Sequence, residues 1–184
     1  MVWALERLGA RPVLSADTER VAEADRLVLP GVGTAGHAVE RLKALGLMDA
    51  LRRFERPMLG VCLGMQLLLE ASEEGDVACL DRLPGRVQRL EATPDRPVPH
   101  MGWNQLSATS TDDPLLQGVA EGSYVYFVHS YAAPTGPTTI AEAVYGAAFS
   151  AMVRKDRVWG CQFHPERSGP TGSRILRNFL DVPC

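Results

Sequence analysis

The segment Pro57-Met58-Leu59-Gly60-Val61-Cys62-Leu63-Gly64-Met65-Gln66 constrains the fold of this chain more than any other. Pro57–Val61 is a short apolar run and reads as a buried strand. Leu63–Glu70 has the spacing of a helix. Only Cys62 stands between them, with small residues on both sides. So sharp a strand-to-helix turn lifts one side chain above the sheet edge, as in a nucleophile elbow. Gly60 and Gly64 let the turn close and let a substrate approach. Read alone, Cys62 also fits a buried structural cysteine. Upstream, Leu27-Val28-Leu29 is a second apolar run, closed by Pro30-Gly31. Helical patterns at Ala35–Leu45 and Met48–Glu55 separate the two runs. This alternation implies an α/β fold: a mostly parallel sheet flanked by helices.

The flanking segments complete the pattern. Val2–Leu8 has helical spacing and stops at Gly9, Arg11–Ser15 reads as a short strand, and Val21–Asp25 as a helical turn. After about Gly75 the chain becomes rich in Pro, Gly and strands. These are expected at Arg86–Leu90, Tyr124–Tyr131, Thr139–Tyr145, Ala148–Arg154 and Val158–Phe163. Tyr145-Gly146-Ala147 and Lys155-Asp156 sit at the hairpin turns. A last helix is expected over Ser173–Leu180. One domain spanning 1–184, with a β-rich C-terminal half, is the simplest organisation.

Composition excludes several classes of function. The 184 residues carry 19 basic and 22 acidic side chains, a formal net charge of −3. No basic excess exists to drive nucleic-acid binding. No apolar stretch reaches the length of a membrane span, and no N-terminal signal pattern is present. The four cysteines, Cys62, Cys79, Cys161 and Cys184, form no CxxC pair and are too sparse for a disulfide framework. No metal-ligand spacing occurs, and no cofactor is implied. A reducing, cytoplasmic setting is expected.

Two further segments carry chemistry. Gln162-Phe163-His164-Pro165-Glu166 follows a strand. There His164 can act as general base to Cys62, and Glu166 can orient its imidazole. Pro30-Gly31-Val32-Gly33 ends a strand, where two glycines free backbone N–H groups to face a ligand as an oxyanion hole. Gly31, Val32, Gly33 and Leu63 are the oxyanion candidates. An isolated His-Pro-Glu or Pro-Gly-Val-Gly would be unremarkable turn chemistry; the cysteine elbow gives both their meaning. His37 sits on a helix beside Glu40 and is expected in solvent.

These segments, in this order, resemble the class I (triad) glutamine amidotransferases, whose fold is flavodoxin-like. Within that family, Pro99-His100-Met101-Gly102-Trp103-Asn104 and Phe127-Val128-His129-Ser130-Tyr131 are similar to the glutaminase subunits of imidazole glycerol phosphate synthase. The resemblance covers essentially the whole chain. It implies a Cys62-His164-Glu166 triad that hydrolyses glutamine through a thioester. It implies glutamine contacts at Gln66, Glu74, Ser130 and Tyr131. The implied partner is a (β/α)₈-barrel cyclase subunit, met through Trp103, Asn104 and Arg167. That subunit takes the ammonia and forms imidazole glycerol phosphate and aminoimidazole carboxamide ribotide.

Two departures from the family pattern stand out. The family normally opens with a strand and an Asp-Tyr-Gly-x-Gly-Asn loop; neither is present here, so the first strand of the sheet is expected to be missing. Arg167 stands where the family usually has Lys. It keeps the charge without the same geometry. Two alternatives stay open on sequence: a glutaminase serving another ammonia acceptor, and a catalytically silent regulatory subunit on the same scaffold.

Overall fold

The computed structural model describes residues 1–110 and 112–184. Its elements begin with α1 (Val2–Arg7), α2 (Thr18–Glu23), β1 (Leu27–Gly31), α3 (Ala35–Ala44), α4 (Leu47–Arg52), β2 (Met58–Cys62) and α5 (Leu63–Leu68). They continue with short strands β3 (Ala71–Ser72) and β4 (Val77–Ala78), then β5 (Arg86–Arg89), β6 (His100–Gln105) and β7 (Ser107–Ala108). The chain then runs through β8 (Tyr124–His129), β9 (Tyr131–Ala132), β10 (Thr139–Tyr145), β11 (Ala147–Lys155), β12 (Val158–Cys161) and α6 (Gly169–Asp181).

The main sheet has the order β1-β2-β12-β11-β10-β7. β1, β2 and β12 run parallel. β11, β10 and β7 are added antiparallel. The sheet is thus mixed, and its parallel part carries the elbow. All five residues of β2 are buried, because both faces of the strand are covered. Leu59 and Val61 point into one core with Trp159, Ile175, Leu176 and Phe179. Met58 points into the other, with Val39, Met48, Leu51, Met65 and Leu68. The alternation follows from the two-residue period of a strand. In α6, Ile175, Leu176 and Phe179 recur at helical spacing and form the buried stripe. Each such side chain contributes about 1.5–3 kcal/mol on burial.

Two smaller sheets lie beside the main one. One has the order β4-β3-β5-β9, and the other pairs β6 with β8 antiparallel. β6 is absent from the sequence expectation, because Gly102 and Asn104 interrupt its apolar alternation. Its register with β8 sets His100 against His129 and Trp103 against Tyr126.

One expected strand does not form. Arg11–Ser15 carries no strand pairing among the described residues. β1 stands at the edge of the sheet, and a groove of about 760 Å³ lies along that edge, lined on one side by Arg11–Ser15 and on the other by Leu27–Pro30. Without a neighbour within hydrogen-bonding distance, a strand-like sequence has no ladder to join. No helix is long and apolar enough to cross a membrane among the described residues.

Candidate active site

Cys62 ends β2 and serves as the N-cap of α5, with φ 53 and ψ −112. A non-glycine residue there is strained, and such strain concentrates where a side chain must be presented. The turn closes because its neighbours lack side chains. A β-carbon on Gly60 would lie 2.7 Å from the Gly64 carbonyl oxygen, and one on Gly31 would lie 2.9 Å from the Gly64 nitrogen. β1 therefore packs directly on the first turn of α5. Register places Gly31 beside Cys62.

His164 follows β12, with its backbone N–H bonded to the Tyr126 carbonyl at 2.9 Å. The Ser168 hydroxyl donates to the His164 carbonyl at 2.7 Å and accepts from the Tyr126 N–H at 3.0 Å. The turn holding the histidine is thus tied to β8. His164 Nδ1 lies 3.1 Å from Glu166 Oε1. Cys62, then the bond to Glu166, raise its pKa from 6.5 to about 9 against the cost of burial. Burial works against the Glu166 charge, yet the bond from His164 and a backbone N–H hold its carboxyl below the ordinary value. A histidine this basic accepts a proton readily, as a base beside a thiol must. The fold thus brings Cys62 near enough to His164 to raise its pKa, while Glu166 meets the same ring at Nδ1.

The loop after β1 borders this group. Gly33 has φ 92, and Val32 is 86% exposed, so no buried side chain anchors the loop. Its far end is tied by Glu74, whose Oε2 accepts the Ala35 N–H at 2.7 Å. Leu63 begins α5 immediately after the cysteine.

Gln66 is buried, and its amide donates to the Tyr131 carbonyl at 2.8 Å and to Gln162 Oε1 at 3.0 Å. Gln162 in turn donates to Cys62 Sγ at 3.8 Å. The thiol lies 3.8 Å from the Val128 carbonyl. Sequence reading did not single out Gln162 or Val128. For Gln162 a signal existed: it stands in the same short segment as His164, two residues before it. The Ser130 carbonyl accepts from the Leu90 N–H, which fixes the segment between β8 and β9.

Trp103 and Asn104 lie on β6. Trp103 is 56% exposed and meets Tyr126 edge to face at 6.0 Å. Asn104 Nδ2 donates to the Val144 carbonyl at 2.9 Å. Arg167 is exposed, one residue beyond Glu166. His37 is exposed on α3, as expected.

The family model for glutamine amidotransferase class-I matches residues 9–182. The chain belongs to the class-I glutamine amidotransferases. It is 52% identical over 180 residues to imidazole glycerol phosphate synthase subunit HisH of Xylella fastidiosa (strain Temecula1), covering 98% of this chain and 90% of that one. HisH of Idiomarina loihiensis is 47% identical with the same coverage. Among solved structures, that of a glutamine amidotransferase matches with TM-score 0.75 and 20% identity, over 98% of this chain and 90% of that chain. The glutaminase domain of Trypanosoma brucei CTPS with bound acivicin matches with TM-score 0.67 and 16% identity, over 97% and 88%. These structural matches speak to the fold.

Proposed function

We infer that this chain is the glutaminase subunit of an imidazole glycerol phosphate synthase in histidine biosynthesis, acting as one domain over residues 1–184. The observation that carries the reading is Cys62 held in a strained elbow, near a histidine whose Nδ1 lies 3.1 Å from Glu166 Oε1. Identity of 47–52% to HisH chains supports the choice of pathway.

In this reading the Cys62 sulfur attacks the side-chain amide carbon of glutamine. The carbonyl oxygen takes up the negative charge and meets backbone N–H groups of Gly31, Val32, Gly33 and Leu63. The exposed loop lets its peptides turn toward that oxygen. The imidazolium of His164 gives its proton to the amide nitrogen as the carbon–nitrogen bond breaks, releasing ammonia and leaving a glutamyl thioester. His164 then takes a proton from water, which attacks the thioester. Glutamate leaves, and the thiol is restored. Gln66, Ser130 and Tyr131 form the floor on which glutamine lies. Glu74 acts through the loop it ties down.

The ammonia passes to a (β/α)₈-barrel cyclase subunit docked on Trp103, Asn104 and Arg167. The setting is the cytoplasm, where a free thiol stays reduced. The test is glutamate release by the purified chain, alone and with the cyclase and its nucleotide ligand. Strong activation by the liganded cyclase is expected. Absence of hydrolysis under both conditions would sink the reading.

A further inference from the structure

Two buried histidines outside the triad stand in one continuous hydrogen-bond chain. His129 Nδ1 lies 2.9 Å from the Tyr131 carbonyl. A carbonyl only accepts, so Nδ1 of His129 carries the proton. Burial holds His129 down to about 4, with its bond to Tyr131 working the other way, so the ring is neutral and Nε2 is an acceptor. His100 Nδ1 lies 2.9 Å from that Nε2 and must donate to it. Burial also lowers His100 to about 4, which leaves its Nε2 as an acceptor. Asn104 Nδ2 faces that atom at 3.4 Å and supplies the donor. Each step allows one direction only, and both tautomers follow from the first carbonyl.

The chain runs on to Cys62 through residues assigned above to glutamine binding. The Tyr131 carbonyl takes its second hydrogen bond from Gln66, Gln66 donates to Gln162, and Gln162 donates to the Cys62 sulfur. The other end lies on β6, beside exposed Trp103. The His100 ring is stacked between Tyr145 at 4.1 Å and Phe127 at 5.0 Å, so it has little freedom to turn.

We propose that His100 and His129 are positioning residues. They hold the Tyr131 carbonyl, and with it Gln66, in place for glutamine, and they tie that pocket to the strand carrying Trp103 and Asn104. The proposal rests on the glutaminase reading above. A histidine pair that only fills the core would need good packing but no particular proton arrangement. Here each histidine ring nitrogen has a partner and each of those bonds has one direction, as a rigidifying polar network requires.

The test uses the chain in complex with the cyclase subunit. His129→Phe removes the donor to Tyr131, while His129→Asn keeps a donor near the Nδ1 position. The expected result for His129→Phe is a rise in glutamine KM of about tenfold, with kcat changed less than about twofold. His129→Asn is expected to restore KM to within about threefold of wild type. Unchanged KM in His129→Phe, or an equal loss in both variants, would overturn the positioning role while leaving the glutaminase reading intact. A wild-type complex that releases no glutamate would instead overturn the reading and this proposal with it. Should the variants fail to fold, nitrogen-15 spectra of the wild-type histidines decide: both rings must show protonated Nδ1, and a protonated Nε2 on either refutes the chain.

Discussion

Gly64 lies against the carbonyl of Leu29 so closely that a β-carbon at position 64 would overlap that oxygen. The contact joins β1 to the first turn of α5, one on each side of Cys62. Backbone cannot yield as a flexible side chain can, so the two elements would have to separate. Gly64→Ala is expected to destabilise the chain by about 3 kcal/mol. It should also displace the loop at Gly31–Gly33. Denaturant unfolding reads the first effect. A drop in glutaminase activity larger than the unfolded fraction explains would read the second.

The backbone strain at Cys62 can be isolated by comparing two variants. Cys62→Ala and Cys62→Gly both remove the sulfur and should lower glutamine turnover at least about 10⁴-fold. Ammonia-dependent synthesis by the complex should survive in both. Glycine usually destabilises relative to alanine, but at φ 53 it relieves the steric conflict of a β-carbon. Cys62→Gly is therefore expected to be more stable than Cys62→Ala by about 1 kcal/mol. The reverse order in thermal melts would mean that the elbow is unstrained.

The raised pKa of His164 gives a pH dependence with a definite sign. Cys62, then Glu166, raise it from 6.5 to about 9, so the folded state binds this proton more tightly than the unfolded chain does. The resulting stabilisation is complete below about pH 6.5 and fades as pH rises through about 9. Cys62→Ala removes the largest raising influence. In that variant the His164 ring should titrate at lower pH by proton NMR. Its stability should fall less than that of wild type between pH 6.5 and 9.

Glu166 Oε1 lies 3.1 Å from His164 Nδ1, where the proposed mechanism needs an orienting acid. Glu166→Gln keeps the shape and removes the charge. Turnover of glutamine is expected to fall by about 10²–10⁴-fold with KM little changed. Steady-state kinetics with the cyclase present would check it, and a purely KM effect would reassign Glu166 to substrate binding.

The outward face of the β6–β8 pair carries Met101, 63% exposed, beside Trp103 at 56%, with Tyr124 and Val128 opposite. Such a row of apolar side chains suits an interface anchored by its aromatic member. Trp103→Ala should weaken binding to the cyclase by about 2 kcal/mol, roughly thirtyfold. The isolated chain should lose less than about 0.5 kcal/mol of stability. Isothermal titration and denaturant unfolding measure the two separately.

Much of this molecule was legible as local pattern. Runs such as Leu27–Leu29 and Met58–Val61 are apolar because a strand covered on both faces has no solvent side. The glycines at 60 and 64 announce a turn that admits no β-carbon. Cys62, His164 and Glu166 could be proposed together because the first ends one strand and the other two follow another. Local pattern failed where a partner decides the outcome. Arg11–Ser15 has strand-like composition and no strand beside it. His100–Gln105 lacks clean alternation, yet it pairs with Tyr124–His129 along its length. Composition cannot report either result, because a ladder belongs to two segments at once. The same reason hid the contacts of Gln162 with Gln66 and Cys62 and the His100–His129 bond. Their roles depend on which atoms from distant strands arrive within 3 or 4 Å, and only the packed tertiary structure determines that.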